Sequence, residues 1–355
     1  MLRGSFAKMM RQRSLLIDLL KIIGSQLIVL HHLVLYSPMA KIIETQLPDL
    51  VNFLFFYARL PVWSFLVIGG FLCAHLVDRR TSFRWAHSIF KRCLRLLPLY
   101  FFSIFSVVII TIVWNPIIKD EPWVSPVPSL LSLFSHLLLL QDVIGEPAIS
   151  AGAWYVSIDL QLFSLTLALI YLSRFFYKNI QIEMVACCIF LGALASLQIW
   201  SKNNRFEIYA FYFFNAYGLG LLAYLAKKSR LSFYFFLVLI FAHAIDVFNE
   251  NSFKNTVILV TALTVYLAGN VYDIKIRIAR LVESASNTSH ALFVSHFCVI
   301  IIFTGIWNLY ELDGFVIAGT MFFSAWVAAT LNAYVLNSFY LRMTSLMSKS
   351  RGGNL

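Results

Sequence analysis

Apolar runs of roughly twenty residues recur along the whole chain, separated by short polar or charged stretches. Each is about long enough to cross a hydrocarbon core of about 30 Å as an α-helix. The predicted spans are 14–36, 51–77, 91–114, 153–173, 180–200, 207–226, 231–248, 253–270, 288–308 and 314–336. A shorter apolar run, 127–141, contains His136 and is bounded by Pro128 and by the turn from Asp142 to Pro147. It reads as an interfacial or re-entrant piece, because counting it as a span would reverse the orientation of everything after it. The pattern predicts an all-α protein, a polytopic transmembrane helical bundle of about ten helices.

Composition agrees. Of 355 residues, 60% are hydrophobic and 13% charged, with a mean hydropathy of +0.79; a soluble domain needs far more polar surface. No polar stretch is long enough to fold separately, so residues 1–355 read as a single transmembrane domain whose chemistry is intramembrane or interfacial. The first apolar run follows Arg3, Lys8, Arg11 and Arg13, as a signal peptide would. It carries Asp18 and Lys21 and lacks a small-residue cleavage pattern, so it is expected to persist as the first helix.

The formal charge of +11 would suit a nucleic-acid partner, but the placement of the basic residues gives it another meaning. Arg3, Lys8, Arg11, Arg13, Arg79, Arg80, Arg84, Lys91, Arg92, Arg95, Arg174, Lys178, Lys227, Lys228, Arg230, Lys275, Arg277, Arg280, Arg342, Lys349 and Arg351 fall on one side of the predicted spans. Lys41, Arg59, Lys119, Lys202, Arg205 and Lys254 fall on the other, and Lys21 lies inside the first span. The positive-inside rule therefore puts both termini in the cytoplasm. The opposite loops hold most of the loop acids, among them Glu44, Asp49, Asp120, Glu121, Asp142, Glu146, Asp246, Glu250, Glu311 and Asp313. The excess charge reads as membrane topology, with lipids rather than nucleic acid as its partner. Cys73, Cys93, Cys187, Cys188 and Cys298 show no metal-ligand spacing and read as packing residues. No HExxH, nucleophile elbow or phosphate-cradling glycine loop occurs, so no metal is expected.

Ionisable groups inside apolar spans cost about 2.5–3.5 kcal/mol each on insertion scales and so mark candidate chemistry. Asp18, Lys21, His31 and His32 stand in the first span. The eleven steps from Lys21 to His32 bring both to one helix face, about 16 Å apart along the axis, a geometry suited to a site reached from both sides of the membrane. The plainer alternative is an Asp18–Lys21 ion pair at the interface and two packed histidines. In KRCLRLLPLY, Arg92 and Arg95 project from one face at the cytoplasmic mouth of the third span. Their forked guanidiniums suit phosphates, either those of a coenzyme A or those of lipids. GAWYVSIDLQLF places Trp154, Ser157, Asp159 and Gln161 at the outer start of the fourth span. There Trp154 could stack on a pyranose and Asp159 could orient a histidine or bind a hydroxyl; an aromatic belt with an acidic helix cap is the alternative. In SNTSHALFVSHF, His290 and His296 lie six apart on different helix faces, which argues against a metal pair. His75 and His243 stand alone and read as structural.

Taken in order, these stretches resemble the acyltransferase-3 family of bacterial membrane proteins, the group of O-antigen and Nod-factor acetyltransferases. The family's first-helix Asp, Arg and His resemble Asp18, Lys21 and His32, with Lys in place of Arg. Its Ser-Gly-Phe-Leu resembles GGFL, with Gly69 where Ser is expected. Its Arg-x-x-Arg before a Pro matches Arg92 and Arg95 before Pro98. Its Trp-x-Leu-x-x-Glu resembles Trp154, Val156 and Asp159, and its closing Ser-Tyr-x-Leu-Tyr-x-x-His resembles Ser289, His290, Leu292, Phe293 and His296. The likeness covers most of the chain, and with no room for the added esterase-like domain of many members it implies a membrane-only one.

The resemblance implies O-acylation of an envelope carbohydrate such as O-antigen, capsule or exopolysaccharide, in a bacterial inner membrane, from cytoplasmic acyl-CoA, with acetyl-CoA the expected donor. Arg92, Arg95 and Lys21 would hold the donor's phosphates. His32, oriented by Asp159, would be the general base, with an acyl-histidine as the open variant. Trp154, Ser157, His31 and His296 would bind the acceptor, a carbohydrate or lipid-linked glycan, and Asp18 would be structural. Two other classes stay open: a transporter or flippase for a lipid-linked glycan or acid, and a non-catalytic partner in polysaccharide export. The sequence does not specify an oligomeric state.

Overall fold

The computed structural model describes residues 15–78, 85–116, 127–176, 182–267 and 276–352. Arg3, Lys8, Arg11, Arg13, Arg79, Arg80, Arg84, Lys119, Asp120, Glu121, Lys178 and Lys275 of the charge pattern lie outside the described residues. Every regular element among those described is helical: α1 (Leu15–Tyr36), α2 (Met39–Gln46), α3 (Pro48–Phe56), α4 (Pro61–Asp78), α5 (Trp85–Trp114), α6 (Leu130–Leu137), α7 (Gln141–Ile144), α8 (Ala153–Phe176), α9 (Ile182–Gln198), α10 (Phe214–Leu225), α11 (Arg230–Glu250), α12 (Phe253–Leu267), α13 (Ile276–Leu309) and α14 (Phe315–Gly352). Among them are 8 spans long and apolar enough to cross a membrane, with Ala210–Leu225 and Phe253–Leu267 as shorter apolar helices. The protein is an all-α, polytopic membrane bundle.

Three predicted segments take a more detailed form. The run 51–77 breaks into α3 and α4 across a turn at 57–60, and α4 opens at Pro61, which has no N–H to continue a preceding helix. The run 207–226 opens with a 3-10 turn, Ala210–Phe213, and becomes α-helical only at Phe214. The run 127–141 holds only α6, whose eight residues span about 12 Å and cannot cross the bilayer. Ser129 caps α6 by accepting from Ser132 N at 3.0 Å, and Leu139, at φ 59, ends it in the left-handed region.

The chain forms two compact units: Met1–Gly24, Leu60–Lys91 and Ile158–Ser286 make the first, and Ser25–Arg59, Arg92–Ser157 and Asn287–Leu355 the second. In the first unit every residue of α10 is buried, as befits a helix apolar on all sides. Its closest neighbour is α4, and glycines set the approach. A Cβ on Gly70 would overlap the carbonyl of Tyr217, and one on Gly220 would overlap that of Val67. Polar side chains there pair off: Ser64 Oγ with Thr261 Oγ1 at 2.8 Å, and His243 Nδ1–H with Asn255 Oδ1 at 3.1 Å. Lys202 bridges Asp246 at 2.9 Å and Glu250 at 2.6 Å.

In the second unit α5 and α13 run in the same direction, since Leu96 meets His290 and Ser103 Oγ donates to the Val294 carbonyl. The end of α1 runs alongside α13 in the same sense, His32 meeting His296 and the Tyr36 carbonyl accepting from Thr304 at 3.4 Å. Antiparallel α14 donates from Trp326 Nε1 to Gln26 Oε1 at 2.7 Å. Pro98 interrupts α5 and leaves the Leu94 carbonyl without its helical donor; Tyr340 Oη of α14 donates to it at 3.0 Å. The outward rows of α5 (Phe105, Ile109, Ile112) and α14 (Phe323, Val327, Leu331) are exposed and apolar, a surface that lipid covers at no cost.

Because the α4–α10 contact is backbone against backbone, Gly70→Ala or Gly220→Ala should destabilise the detergent-solubilised protein by about 1–3 kcal/mol or more. Thermal denaturation followed by size-exclusion chromatography reads this, and Gly319→Ala, where a Cβ meets nothing within 4 Å, should leave the midpoint unchanged or raised.

Candidate active site

Within the second unit, polar residues of several elements converge around α13. His32 on α1 and His296 on α13, 9% and 0% exposed, join through Nδ1 and Nε2 at 2.7 Å. Their rings are 4.9 Å apart and inclined by only 3°. The N–N distance plus a ring radius at each end accounts for that spacing, so the imidazoles lie edge to edge in one plane rather than face to face.

The other bonds of the pair fix its protons. His296 Nδ1 lies 3.0 Å from the Leu292 carbonyl, which can only accept, so Nδ1 carries the hydrogen. In a neutral imidazole Nε2 is then an acceptor, and the shared hydrogen belongs to His32 Nδ1. His32 is left with a lone pair on Nε2, the nitrogen able to take a proton from a substrate. That atom makes no hydrogen bond among the described residues, and it is not among the sealed polar atoms without partners.

His31 faces elsewhere. Its Nδ1–H donates to the Leu54 carbonyl at 3.1 Å, one of the last four of α3, which have no helical donor. It thereby ties α1 to a small apolar cluster of Val34, Met39, Ile43, Val51, Leu54 and Trp307 that closes this end of the unit. An aromatic series leads away from the histidine pair: His296 to Phe293 at 6.4 Å, Phe293 to Tyr155 at 4.9 Å, Tyr155 to Trp154 at 6.1 Å.

The segment between α5 and α8 packs on the same stretch of α13. Gly152 lies against Phe293, where a Cβ would sit 2.6 Å from the carbonyl oxygen. Ser157 Oγ accepts from Gln141 Nε2 at 2.9 Å. Gln141 Nε2 also donates to Asp142 Oδ2 at 2.9 Å, which fixes the orientation of the amide. Its Oε1 and the Ser150 hydroxyl are buried without hydrogen-bond partners among the described residues, and both escaped the sequence reading. The segment is pinned by His136, wholly buried, whose Nδ1–H donates to the Ser132 carbonyl at 2.7 Å while Nε2 accepts from Ile149 N at 3.0 Å. The His136 carbonyl accepts from Tyr100 Oη at 3.0 Å.

Arg92 and Arg95 stand on α5 in this unit, Arg95 exposed and Arg92 half-buried. His290 Nε2 donates to the Leu96 carbonyl at 3.3 Å. Since His290 precedes His296 by six residues, the guanidinium turn of α5 and the histidine pair lie about 9 Å apart along the α13 axis. Asp18, Lys21 and Asp159 belong to the first unit. Asp18, buried there, accepts from Ser286 Oγ at 2.6 Å, and Lys21 is half-buried. Asp159 is buried, and its Oδ1 lies 3.4 Å from where a Cβ on Gly69 would stand. Gly69 and Asp159 thus meet at one place. Among the described residues no group of three or more His, Cys, Asp or Glu could hold a metal ion.

Compared with known families, residues 15–337 match the profile of the acyltransferase-3 family, described as an acyltransferase domain. The chain belongs to the acyltransferase-3 family. No curated protein and no solved structure matches it. Membership makes this a membrane acyltransferase domain over most of its length, a reaction class for which acyl-CoA is a fitting donor.

His136 carries a pH dependence. Burial lowers its pKa below 6.5, outweighing the Ser132 carbonyl and Glu146, which raise it. The opened segment therefore binds a proton more readily than the packed one. Packing is fully favoured above about pH 6.5 and weakens as pH falls towards the folded pKa, because a protonated Nε2 cannot accept from Ile149. The hydrogen-exchange protection factor of the Ile149 amide should be constant above pH 6.5 and fall below it.

Proposed function

We propose that the protein is an O-acyltransferase of the bacterial inner membrane, moving an acyl group, acetyl in this reading, from cytoplasmic acyl-CoA to a hydroxyl of an envelope carbohydrate such as O-antigen, capsule or exopolysaccharide. The observation that carries it is His32, buried in the bundle with Nδ1 engaged by His296 and Nε2 open, on the helix pair that reaches the Arg92–Arg95 turn. Residues 1–355 act as one domain, with ten crossings and both termini cytoplasmic. The parallel course of α5 and α13 supports this count: five crossings, α8 to α12, separate them, and a sixth through α6 would make them antiparallel.

In this scheme Arg92 and Arg95 hold the phosphates of the donor through charge-assisted bonds. Trp154 and Ser157 receive the carbohydrate or lipid-linked glycan. His32 Nε2 takes the acceptor's hydroxyl proton as its oxygen attacks the thioester carbon. A C–O bond forms, the C–S bond breaks, and the thiolate recovers the proton from Nε2, giving ester and free coenzyme A. The scheme calls for no metal.

Mass spectrometry of envelope glycans from a strain lacking the gene should show intact chains without O-acyl esters. Loss of the surface chains themselves would refute the enzyme and favour transport. For the donor site, Arg92→Ala with Arg95→Ala should weaken acyl-CoA binding by roughly tenfold to a hundredfold, two charge-assisted contacts being worth about 1.5–3 kcal/mol each before solvent screening. Equal affinity by calorimetry would remove the arginines from the donor site.

A further inference from the structure

We infer that His296 is a positioning residue for the transfer: it accepts the Nδ1 hydrogen of His32 and so holds His32 in the tautomer whose Nε2 is the base. The inference rests on the acyl-transfer reading of His32 and deepens it.

A histidine base is useful only if the nitrogen facing the substrate carries the lone pair, and an isolated neutral imidazole populates both tautomers. Here the choice is removed in two steps that run along α13. The Leu292 carbonyl, one helical turn before His296, claims the hydrogen of His296 Nδ1. That leaves His296 Nε2 as an acceptor aimed at His32 Nδ1, 2.7 Å away in the same plane. When His32 takes the acceptor's proton, the positive charge on its ring is met by an oriented lone pair already in place. The proton then leaves from Nε2 to the departing thiolate, and both rings return to their starting tautomers with no net change.

A packing role and a positioning role make opposite predictions for two variants. His296→Gln keeps an acceptor close to the position of Nε2, whereas His296→Leu keeps an apolar side chain suited to a helix interior but offers no acceptor. Positioning predicts that Leu lowers kcat by about 10²–10⁴-fold, the range for losing a general base or holding it in the wrong tautomer. Gln should stay within about tenfold of wild type, with acyl-CoA affinity equal in both. Packing predicts that Leu does at least as well as Gln, and that order, or wild-type kcat in both, overturns the inference. His32→Ala separates the two layers: rapid transfer by that variant removes the acyl-transfer role of His32 itself. A dead His32→Ala beside a fully active His296→Leu removes only the role of His296. Should the His296 variants not fold, the wild-type protein still answers through solid-state NMR of ¹⁵N-histidine-labelled protein in bilayers, assigned against His32→Gln. A hydrogen on Nδ1 and a bare Nε2 at neutral pH are expected for His32, and the reverse overturns the inference.

Discussion

Inside the hydrocarbon core no water is available to a polar group, so each one must find its partner in protein. That constraint organises the α13 neighbourhood. Ser286 meets Asp18, His290 meets Leu96, Ser103 meets Val294, His296 meets His32 and Thr304 meets Tyr36. Such bonds average only about 0.6 kcal/mol in membrane proteins, too little to hold the bundle. What they supply is register, since each would be lost if α13 slid by a residue. Adhesion comes instead from close packing of small residues, as where Gly70 and Gly220 bring α4 and α10 into backbone contact.

Irregular backbone recurs where it serves the site. α3 ends at Phe56, before the turn that leads to Pro61, and His31 satisfies the Leu54 carbonyl in its last turn. Pro98 releases the Leu94 carbonyl beside Arg95, and Tyr340 claims it. The segment from α6 to α8 turns back through Leu139 and Gly145, both at positive φ, and is fixed by a histidine with both ring nitrogens occupied. Non-helical backbone within a membrane survives only where protein satisfies it, and this segment lies against the stretch of α13 that bears His296.

The bundle was legible in the sequence because hydrophobic length is a one-dimensional signal: ten apolar runs give eight long spans and two shorter apolar helices. The α3–α4 break was marked by Pro61 yet hidden by the continuous apolarity of 51–77. The shortness of α10 was hidden because 210–213 are as apolar as the helix they precede. His32, Arg92, Arg95 and Trp154 stood out through cost or spacing. The pairing of His32 with His296 did not, since two residues 264 apart in sequence meet only once the packing of two helices is known. Gln141 and Ser150 left no signal because neither is charged and both lie beside a turn, where polar residues are ordinary.

A carboxylate would be the familiar partner for a histidine base, and within a membrane span it would be an expensive one. An ionised acid costs about 2.5–3.5 kcal/mol at a helix centre, and in the proposed transfer its charge would favour the protonated form of His32 over the free base. A neutral imidazole orients the base through the same hydrogen bond with no buried charge at rest. In the proposed transfer, charge appears only while the acceptor's proton is on His32, when the bond strengthens as its donor becomes cationic. The backbone carbonyl of Leu292 is sufficient to orient the second ring, so the chain of influence ends in the helix itself and no ionised group is needed within this part of the bundle. On the proposed reading, a pair of histidines can in this way sit among Phe293, Phe297 and Tyr36 and still accept a proton.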